Sequence, residues 1–440
     1  MVECLRFWSM DKVSIFWFRR DLRVFDNVGL FHALNSGQPV LPIFIFDTSI
    51  LSQLPPHDAR VSFIHQCLEQ IQSALQKVGK SLAVFHGTPE AIFTAIAQKH
   101  TIDTVYTNHD YEPYARKRDK TLHQLFQAHN IAFKTSKDQV IFEKSEVVKD
   151  DGTPYVVYTP YSRRWKERFK TITLAHYPSE TMLNQVAAHD YPFLSLEDIG
   201  FKSSKITVRP YDISASLIQN YEATRNFPAL NKTSFLGIYL RFGAVSIRQM
   251  IAKAIAEKNE TFWNELIWRE FFMQILWHFP HTVHQSFKSK YDEIDWDNNT
   301  DWFEKWCQGQ TGYPIVDAGM RELNATGHMH NRVRMITASF LCKHLLIDWR
   351  WGESYFALKL LDYEQASNVG NWQWAAGSGV DAAPYFRIFN PTEQQKKFDK
   401  DWKYIRHWVP EVDTPEYPKP IIDHKEARDR CLRVYKSAVG

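Results

Sequence analysis

The sequence is organised around residues 362–391, DYEQASNVGNWQWAAGSGVDAAPYFRIFNP. This stretch contains too much Gly, Asn and Asp for one ordinary helix, and too many aromatic rings for a solvated loop. Trp372 and Trp374 lie two residues apart, so in extended or irregular backbone they would point in roughly the same direction. Three glycines permit turns or a close approach to a flat group: Gly370, Gly377 and Gly379.

Polar groups precede these indoles, at Asp362, Glu364 and Asn368. Apolar plates beside carboxylate and amide groups are typical of the wall of a deep ligand pocket. The same residues also fit a core loop with two packed indoles. On these thirty residues alone, the plainer interpretation is slightly favoured.

The composition indicates a globular protein with room for two or three domains. The chain has 440 residues, of which 44% are hydrophobic and 23% charged, as in soluble proteins with sizeable cores. Its net charge is only +3, so a nucleic-acid partner would need a local basic patch. The longest apolar runs, such as residues 40–46, have the length of a strand, so we expect no membrane segment.

The cysteines favour a reducing cytosol. They are scattered, form no CxxC pair and thus argue against a disulfide framework or a thiolate metal site; we expect no metal. Asp11 and Lys12 interrupt the apolar N-terminal stretch, which argues against a signal peptide. Met1 and Met10 are alternative starts that the sequence does not distinguish. The five cysteines are Cys4, Cys67, Cys307, Cys342 and Cys431.

Tryptophan is concentrated in the second half of the chain, where twelve of 15 lie at or beyond Trp263. Tryptophan is usually core filler. So many in one half still suggest a function for aromatic rings there, either stacking or electron transfer.

Strand and helix signals alternate between residues 13 and 136. The strand candidates are VSIFWF, VLPIFIF, LAVFHG, TVYTN and IAFKT, and helical patterns lie between them. This rhythm predicts an α/β domain with a parallel, Rossmann-like sheet and helices on both faces. No GxGxxG follows the first strand, so the usual dinucleotide fingerprint is absent.

A charged segment, FRRDLRVFDN, follows the first strand instead. Ligands bind at such strand ends in open α/β sheets, and a solvated charged turn with internal ion pairs is an equally good interpretation. Its polar residues are Arg19, Arg20, Asp21, Arg23, Asp26 and Asn27.

From about residue 208 only helical patterns occur. The candidates are 215–224, 246–258, 261–277, 315–327, 331–346, 351–361 and 393–408. We therefore predict an α/β domain over residues 1–135, a connector over 136–207 and an all-helical domain over 208–440. The aromatic segment YTPYSRRW leads us to expect an ordered connector.

Residues 231–246, NKTSFLGIYLRFGAVS, place Thr233, Ser234 and Gly237 just before a helical stretch. Hydroxyls and backbone N–H groups there could hold a phosphate. Simple N-capping is the alternative, and it is favoured for this segment alone.

The segment WNELIWREFF places Glu265, Trp268 and Arg269 on one helical face. A carboxylate beside an indole can hydrogen-bond to a base and stack on it. A Glu265–Arg269 ion pair on an amphipathic helix is the plainer alternative.

The segment MHNRVRMITASF places Asn331, Arg334 and Met335 on one face, while Arg332 projects elsewhere. Arg332 could reach a phosphate and Arg334 a buried carboxylate. A surface helix would explain the arginines but explains less well why they interrupt an apolar run.

Together these motifs resemble the photolyase–cryptochrome family, and most of all the class I photolyases of cyclobutane pyrimidine dimers. The resemblance covers nearly the whole chain from Val13 onward. Its carriers are FWFRRDLRVFDN, WNELIWREFF, GQTGYPIVDAGMRELNATGHMHNRVRM, LLIDWRWGE and NWQWAAGSGVDAAPYFRIFNPTEQQKKFD.

The resemblance implies a U-shaped FAD, active as FADH⁻, inside the helical domain. The family's phosphate-binding TSxLS appears with its last Ser replaced by Gly237. Arg334 and Asp362 match the buried ion pair beside the flavin, and Asn368 the amide that faces flavin N5. The cofactor-binding residues implied are Tyr221, Thr233, Ser234, Phe235, Leu236, Gly237, Arg269, Arg334, Asp362, Glu364 and Asn368.

The resemblance also implies a light-driven electron path and a lesion pocket. Trp372, Trp349 and Trp296 match the chain that reduces the flavin in light. The pocket and DNA contacts implied are Arg225, Glu265, Trp268, Asn331, Arg332, Met335, Trp374, Arg387 and Gln394.

The activity implied is that of a deoxyribodipyrimidine photo-lyase. Blue or near-UV light excites the reduced FAD, which donates an electron to a flipped-out dimer and splits it into two pyrimidines. We expect UV-damaged DNA as partner, a monomer and a cytoplasmic, nucleoid-associated location of bacterial type. The alternatives are a cryptochrome photoreceptor without repair activity and a flavin electron carrier unrelated to DNA.

An antenna chromophore in the first domain is implied less specifically. Tyr114 and Ala115 stand where folate-binding relatives place Asn and Glu, so a deazaflavin, a folate, a flavin or no antenna all stay open. Arg20, Asp21 and Asn108 line the expected region.

Overall fold

Two compact units make up the structure, a computed structural model that describes residues 12–440. Cys4 and both candidate starts, Met1 and Met10, lie outside the described residues. The first unit comprises the chain up to Ile141 with Leu174–Lys205 and Tyr239–Met250; the second comprises Phe142–Thr173, Ile206–Ile238 and Ile251–Gly440. The predicted connector, 136–207, contributes to both units, and the predicted domain limits stay predictions.

The first unit contains a five-stranded parallel sheet in the order β3-β2-β1-β4-β5, which confirms the predicted α/β class. The strands are β1 Lys12–Phe18, β2 Val40–Asp47, β3 Ala83–Gly87, β4 Thr101–Asn108 and β5 Ala132–Ser136. Between them lie α1 Val28–Leu34, α2 Thr48–Leu51, α3 Ala59–Gln76, α4 Pro89–Ala97 and α5 Pro113–Ala128.

The central strands are mostly apolar and almost wholly buried because helices cover both faces of a doubly wound sheet. β2 is buried at every position and β1 at all but Lys12. The chain winds outward in both directions from β1, so β1 and β4 flank the topological switch point.

The charged turn after β1 is buried, so the solvated alternative was wrong. Arg23 Nη2 lies 2.8 Å from Asp138 Oδ1, and both side chains are almost fully enclosed. Arg20 Nη1 lies 3.1 Å from Asp110 Oδ1. Buried charges of this kind persist only when they are paired.

The rest of the chain is helical, as predicted. The helices are α6 Tyr158–Phe169, α7 Ala215–Thr224, α8 Gly237–Arg241, α9 Ile247–Ala256, α10 Glu260–His278, α11 Thr300–Gln308, α12 Pro314–Thr326, α13 Asn331–Ser339, α14 Trp349–Lys359, α15 Gln365–Ala376, α16 Pro391–Phe398, α17 Lys403–Trp408 and α18 His424–Val439. A π-helical turn, Phe340–His344, follows α13. Within residues 12–440, no helix combines the length and apolarity needed to cross a bilayer.

The organising stretch contains a regular helix, α15, which corrects the prediction of irregular backbone. Positions two apart on a helix diverge by roughly 200°, so Trp372 is buried while Trp374 is half-buried. Gly370 lies inside the helix. Glycine is required at this position because a Cβ there would come within 2.3 Å of the Phe272 ring. Gly377, at φ +94°, ends the helix.

The single helix predicted over residues 393–408 was wrong, because two helices, α16 and α17, occupy this region. Trp402 between them has φ +58°, a left-handed conformation that interrupts a helix.

Candidate functional site

A cavity of about 600 Å³, its mouth included, lies in the second unit between α13, α14 and α15. Its enclosed part is about 100 Å³, and a lining of aromatic side chains with a few polar groups is typical of ligand sites. It brings together eight of the residues predicted from the sequence: Asn331, Arg334, Met335, Asp362, Glu364, Asn368, Trp372 and Trp374.

Helix α13 presents one face to this cavity, as its spacing predicted. Asn331, Arg334 and Met335 all line it, because residues three and four apart lie on the same side of a helix. Arg332 points elsewhere: its Nη2 donates to Asn226 Oδ1 at 2.7 Å, and its guanidinium lies 4.5 Å from the centre of the Phe398 ring.

Arg334 and Asp362 form the predicted ion pair, with Nη2 2.9 Å from Oδ2. Burial alone would raise the pKa of Asp362, but the charge and hydrogen bond of Arg334 outweigh it and hold that pKa below its usual value. The second carboxylate oxygen, Oδ1, has no hydrogen-bond partner among the described residues. It is therefore a spare acceptor for a ligand.

Gly237, the residue that departs from the family motif, lies against this carboxylate. A Cβ at Gly237 would be only 2.8 Å from Asp362 Oδ2. A serine there would collide with Asp362 in this arrangement. The absence of the serine hydroxyl therefore allows Asp362 to lie close to the backbone of residue 237.

The rest of the predicted phosphate segment leads into α8. Thr233 and Ser234 are half-buried and Leu236 is buried. Phe235 has φ +51° and lies 4.9 Å from His328, measured between ring centres. The hydroxyls thus remain within reach of solvent or a ligand.

Helix α10 contributes two ion pairs to neighbouring segments. Arg269 Nη2 lies 2.9 Å from Glu364 Oε1, with both side chains largely buried. Glu265 pairs with Arg225, the residue that follows α7. These pairings replace the intrahelical Glu265–Arg269 pair that was the plainer alternative.

Burial and a neighbouring charge act on Glu265 in opposite directions. Burial raises the pKa of Glu265, although Arg225 acts in the opposite direction. The Arg225 guanidinium also lies 5.6 Å from the centre of the Tyr221 ring. Glu265, Arg225 and Tyr221 therefore form one polar and aromatic cluster on α7 and α10.

Glu353 is a site residue that sequence reasoning missed. The Asn368 side-chain amide donates to Glu353 O at 3.1 Å and to Glu353 Oε1 at 2.9 Å. Because both donors of the amide are used, its oxygen is the group left for the cavity. The signal was present, since Glu353 ends the motif LLIDWRWGE.

One predicted electron-path tryptophan, Trp372, packs against the helix that carries another, Trp349. A Cβ at Gly352 would lie 2.1 Å from Trp372 Cη2, so the indole packs directly on the α14 backbone. Trp349 lies one turn earlier on the same helix and is 1% exposed.

The third tryptophan, Trp296, is half-buried in the segment before α11. Asn298, two residues later, accepts a hydrogen bond at 2.9 Å from the backbone N–H of Asp348, the residue before Trp349. The segment is thus fastened to the start of α14.

Other predicted residues lie outside the cavity lining. Arg387 is exposed and Gln394 half-buried, while Trp268 stacks on Tyr158. Tyr158, in YTPYSRRW, was predicted only as a connector residue. The predicted residues outside the lining are Tyr221, Arg225, Thr233, Ser234, Phe235, Leu236, Gly237, Glu265, Trp268, Arg269, Trp296, Arg332, Trp349, Arg387 and Gln394.

The residues predicted near an antenna, Arg20, Asp21 and Asn108, are buried in the first unit. The Asn108 amide donates to Asp21 Oδ2 at 2.5 Å, and burial raises the pKa of Asp21 to about 6. These side chains have protein partners, and their role at an antenna stays a prediction. Over residues 12–440, no cluster of three or more His, Cys, Asp or Glu side chains could hold a metal ion.

Comparisons with known proteins cover nearly the whole chain. The model of the DNA photolyase family matches residues 14–181, and that of the FAD binding domain of DNA photolyase matches residues 262–416. A deoxyribodipyrimidine photo-lyase from Halobacterium salinarum is 34% identical over 97% of this chain and 100% of its own length. One from Vibrio cholerae is 36% identical with the same coverage.

A solved structure is similar over nearly the same length. It is an archaeal photolyase from Sulfolobus tokodaii with two FAD molecules, at 34% identity and a TM-score of 0.84, covering 97% of this chain and 100% of its own.

Proposed function

This chain belongs to the DNA photolyase family, and we propose roles for the residues of its cavity in that activity. The protein is an enzyme of light-dependent DNA repair, a carbon–carbon lyase that splits cyclobutane pyrimidine dimers, with FAD as cofactor and UV-damaged DNA as partner. The single observation that carries the residue assignment is the cavity between α13, α14 and α15.

The polar wall of the cavity fits a flavin. Asp362 offers the unpartnered Oδ1 beside the charge of Arg334, and Asn368 offers an amide oxygen fixed by Glu353. An isoalloxazine ring carries N–H donors along one edge and an apolar face, which these oxygens and the neighbouring indoles complement. Thr233, Ser234 and the backbone N–H groups near Gly237 would hold its phosphates.

Reduced FAD held there would supply, on absorption of light, the electron that opens the cyclobutane ring, and would take that electron back once the two pyrimidines have separated. The residues of the chain orient the flavin and exclude water. Glu364 pairs with Arg269, and Asp362 pairs with Arg334. The negative charges in the wall are therefore neutralised by partners when the flavin excludes water from the cavity.

The mouth of the cavity would receive the lesion. Asn331 is exposed at its rim, and Met335 and Trp374 line it. A dimer must leave the duplex to enter, at a cost of on the order of a few kcal/mol that is smallest for an already weakened pair. Indole faces and a thioether favour the fused bases, and Glu265 would accept from their N–H groups.

Phosphate contacts would position the DNA without reading its sequence. We assign these contacts to Arg225, Arg332, Arg387 and Gln394, of which Arg387 is exposed. The protein would act as a monomer in the cytoplasm, where its four described cysteines would stay reduced. An antenna chromophore would lie at the carboxyl ends of β1 and β4.

A repair assay tests the function directly. Purified protein with its flavin reduced is mixed with an oligonucleotide that carries one thymine dimer, illuminated with blue light, and the restored thymines are quantified by chromatography. We expect repair that depends on light dose and is absent in the dark. Full FAD content without repair would favour a cryptochrome-type photoreceptor.

A further inference from the structure

Tyr158 belongs to the segment YTPYSRRW, to which the proposed function gives no role. It is the first residue of α6 and is 9% exposed. Its ring lies parallel to that of Trp268, with centres 3.6 Å apart and planes 6° from parallel. This is a face-to-face stack, so Tyr158 covers one face of the indole.

Two polar contacts fix the position of Tyr158. Its hydroxyl donates to the carbonyl oxygen of Asn264 at 2.9 Å, one turn before Trp268 on α10. Its backbone N–H group also interacts with the carboxylate of Asp381, where it opposes the rise in pKa that burial causes. Asp381 lies beyond Gly377, which ends α15, so Tyr158 also interacts with the segment that follows this helix.

The stack with Tyr158 restricts the rotamers that the Trp268 indole can adopt. Phe271 and Phe272 flank Trp268 with ring centres 5.6 and 5.5 Å away, yet the indole stays half-buried rather than enclosed. A half-buried side chain keeps rotamer freedom unless neighbours remove it, and a ligand that must order such a side chain binds more weakly.

We propose that Tyr158 is a positioning residue for the lesion: it holds the Trp268 indole flat, so that this aromatic wall exists before the dimer enters. The inference rests on the proposed function, with Trp268 as the wall of the lesion pocket that the family resemblance implies. It gives α6 a part in substrate selection, because undamaged DNA does not use the walls.

Substitution of Tyr158 should therefore change the affinity for dimer-containing DNA more than the affinity for undamaged DNA. An aromatic pair is worth about 0.5–1.5 kcal/mol beyond its buried area, so Y158A should raise the Kd for dimer-containing DNA about two- to tenfold. Y158F keeps the ring and should remain within about twofold of the parent. Affinity for undamaged DNA should not change.

The experiment measures Kd in the dark by fluorescence anisotropy, with reduced protein and matched oligonucleotides with and without a thymine dimer. The variants are Y158A, Y158F, Y158L, W268A and the Y158A/W268A double variant. F169A is the matched control, because Phe169 stacks on Trp165 of the same helix, with centres 5.0 Å apart and planes 10° from parallel, and both belong to α6. FAD content and Tm are recorded for every protein.

If Tyr158 acts through Trp268, Y158A will add little to W268A, and F169A will lower Tm without changing lesion affinity. Y158L keeps an apolar side chain without the stack and decides the question should Y158A fold poorly. Additive effects, or a Kd in Y158A and Y158L equal to that of the parent, overturn the inference while W268A still shows weakened binding. An unchanged Kd in W268A overturns the wall assignment and this inference together, whereas repair by the parent protein tests the enzyme function separately.

Discussion

Arg334 and Asp362 face each other at the wall of the cavity, with the guanidinium Nη2 2.9 Å from the carboxylate Oδ2. The pair joins α13 to the segment that leads into α15. Each side chain keeps roughly a quarter to a fifth of its surface exposed, and that surface faces the cavity. The pair therefore serves both packing and the ligand.

Replacing Asp362 with Asn should weaken FAD binding. The change removes the charged acceptor that we assign to the flavin ring; a hydrogen bond to a charged group is worth about 1.5–3 kcal/mol, or roughly a tenfold to hundredfold loss of affinity. Flavin absorbance per mole of purified protein measures it. E393Q breaks the exposed Glu393–Lys396 pair and should keep its FAD; equal flavin content in both variants would contradict the assignment.

Replacing Trp372 with Phe should abolish light-driven reduction of the oxidised flavin and leave repair by chemically reduced protein intact. Trp372 is 2% exposed and lines the cavity, where it would be the first donor to the flavin. Absorbance changes under blue light and the dimer assay measure the two activities. W402F, on the segment before α17, should retain both, and loss of both in W372F would show that Trp372 is needed for the fold or for binding.

Replacing Gly352 with Ala tests the contact between α14 and Trp372. The new Cβ would lie 2.1 Å from Trp372 Cη2 and 2.6 Å from Leu341 Cδ2, so the indole must move. Overpacking of this kind costs about 1–3 kcal/mol, which exceeds the gain of about 1 kcal/mol from helix propensity. Urea unfolding should show lower stability, and photoreduction should slow. S354A, an exposed change on the same helix, should do neither.

Much of this fold could be predicted from local sequence patterns. The strands β1 and β2 follow from apolar runs, the other three from the alternation of strand and helix signals, and the cavity face of α13 from the spacing of Asn331, Arg334 and Met335. These features depend on neighbours within a few residues, which a single sequence displays.

Other features depend on residues far apart in the chain, which no local pattern displays. The Gly, Asn and Asp content of residues 362–391 argued against one ordinary helix, yet Gln365–Ala376 forms α15, in which the missing Cβ of Gly370 makes room for Phe272. The stack of Tyr158 on Trp268 and the hold of Glu353 on Asn368 likewise join distant segments. For Glu353, the one signal in the sequence was its place at the end of the motif LLIDWRWGE, which the family resemblance includes.

Replacing Glu265 with Ala should lower lesion recognition and leave FAD bound. The carboxylate pairs with Arg225, and its removal takes away an acceptor for the dimer while freeing Arg225 for phosphate. Hydrogen bonds to charged groups are worth about 1.5–3 kcal/mol, so the preference for dimer-containing over undamaged DNA should fall roughly tenfold or more. Binding and repair assays measure it. E260Q, an exposed change on the same helix, is the control, and loss of FAD in E265A would indicate a structural role instead.

His330 makes stability depend on pH in a defined window. Its Nδ1 accepts from the backbone N–H of Arg332 at 3.2 Å and caps α13, and the side chain is 5% exposed. Burial lowers the pKa of His330 to about 4, with Glu322 acting in the opposite direction and His328, Arg334 and Arg332 reinforcing the fall. Nε2 has no partner among the described residues, so the neutral ring is the form that the fold accepts.

The sign follows from linkage. Between about pH 4 and its ordinary pKa near 6.5, the unfolded chain binds a proton that the folded protein does not. The stabilising contribution of neutral His330 is therefore complete above that window and is lost as the pH falls through it, by on the order of 3 kcal/mol. H330N keeps a cap that accepts the Arg332 N–H but cannot titrate. Urea unfolding across the window should give a shallower dependence on pH for H330N than for the parent. The raised pKa of Asp21 acts in the opposite direction in both proteins and cancels in the difference; parallel curves would show that His330 is already protonated in the folded protein.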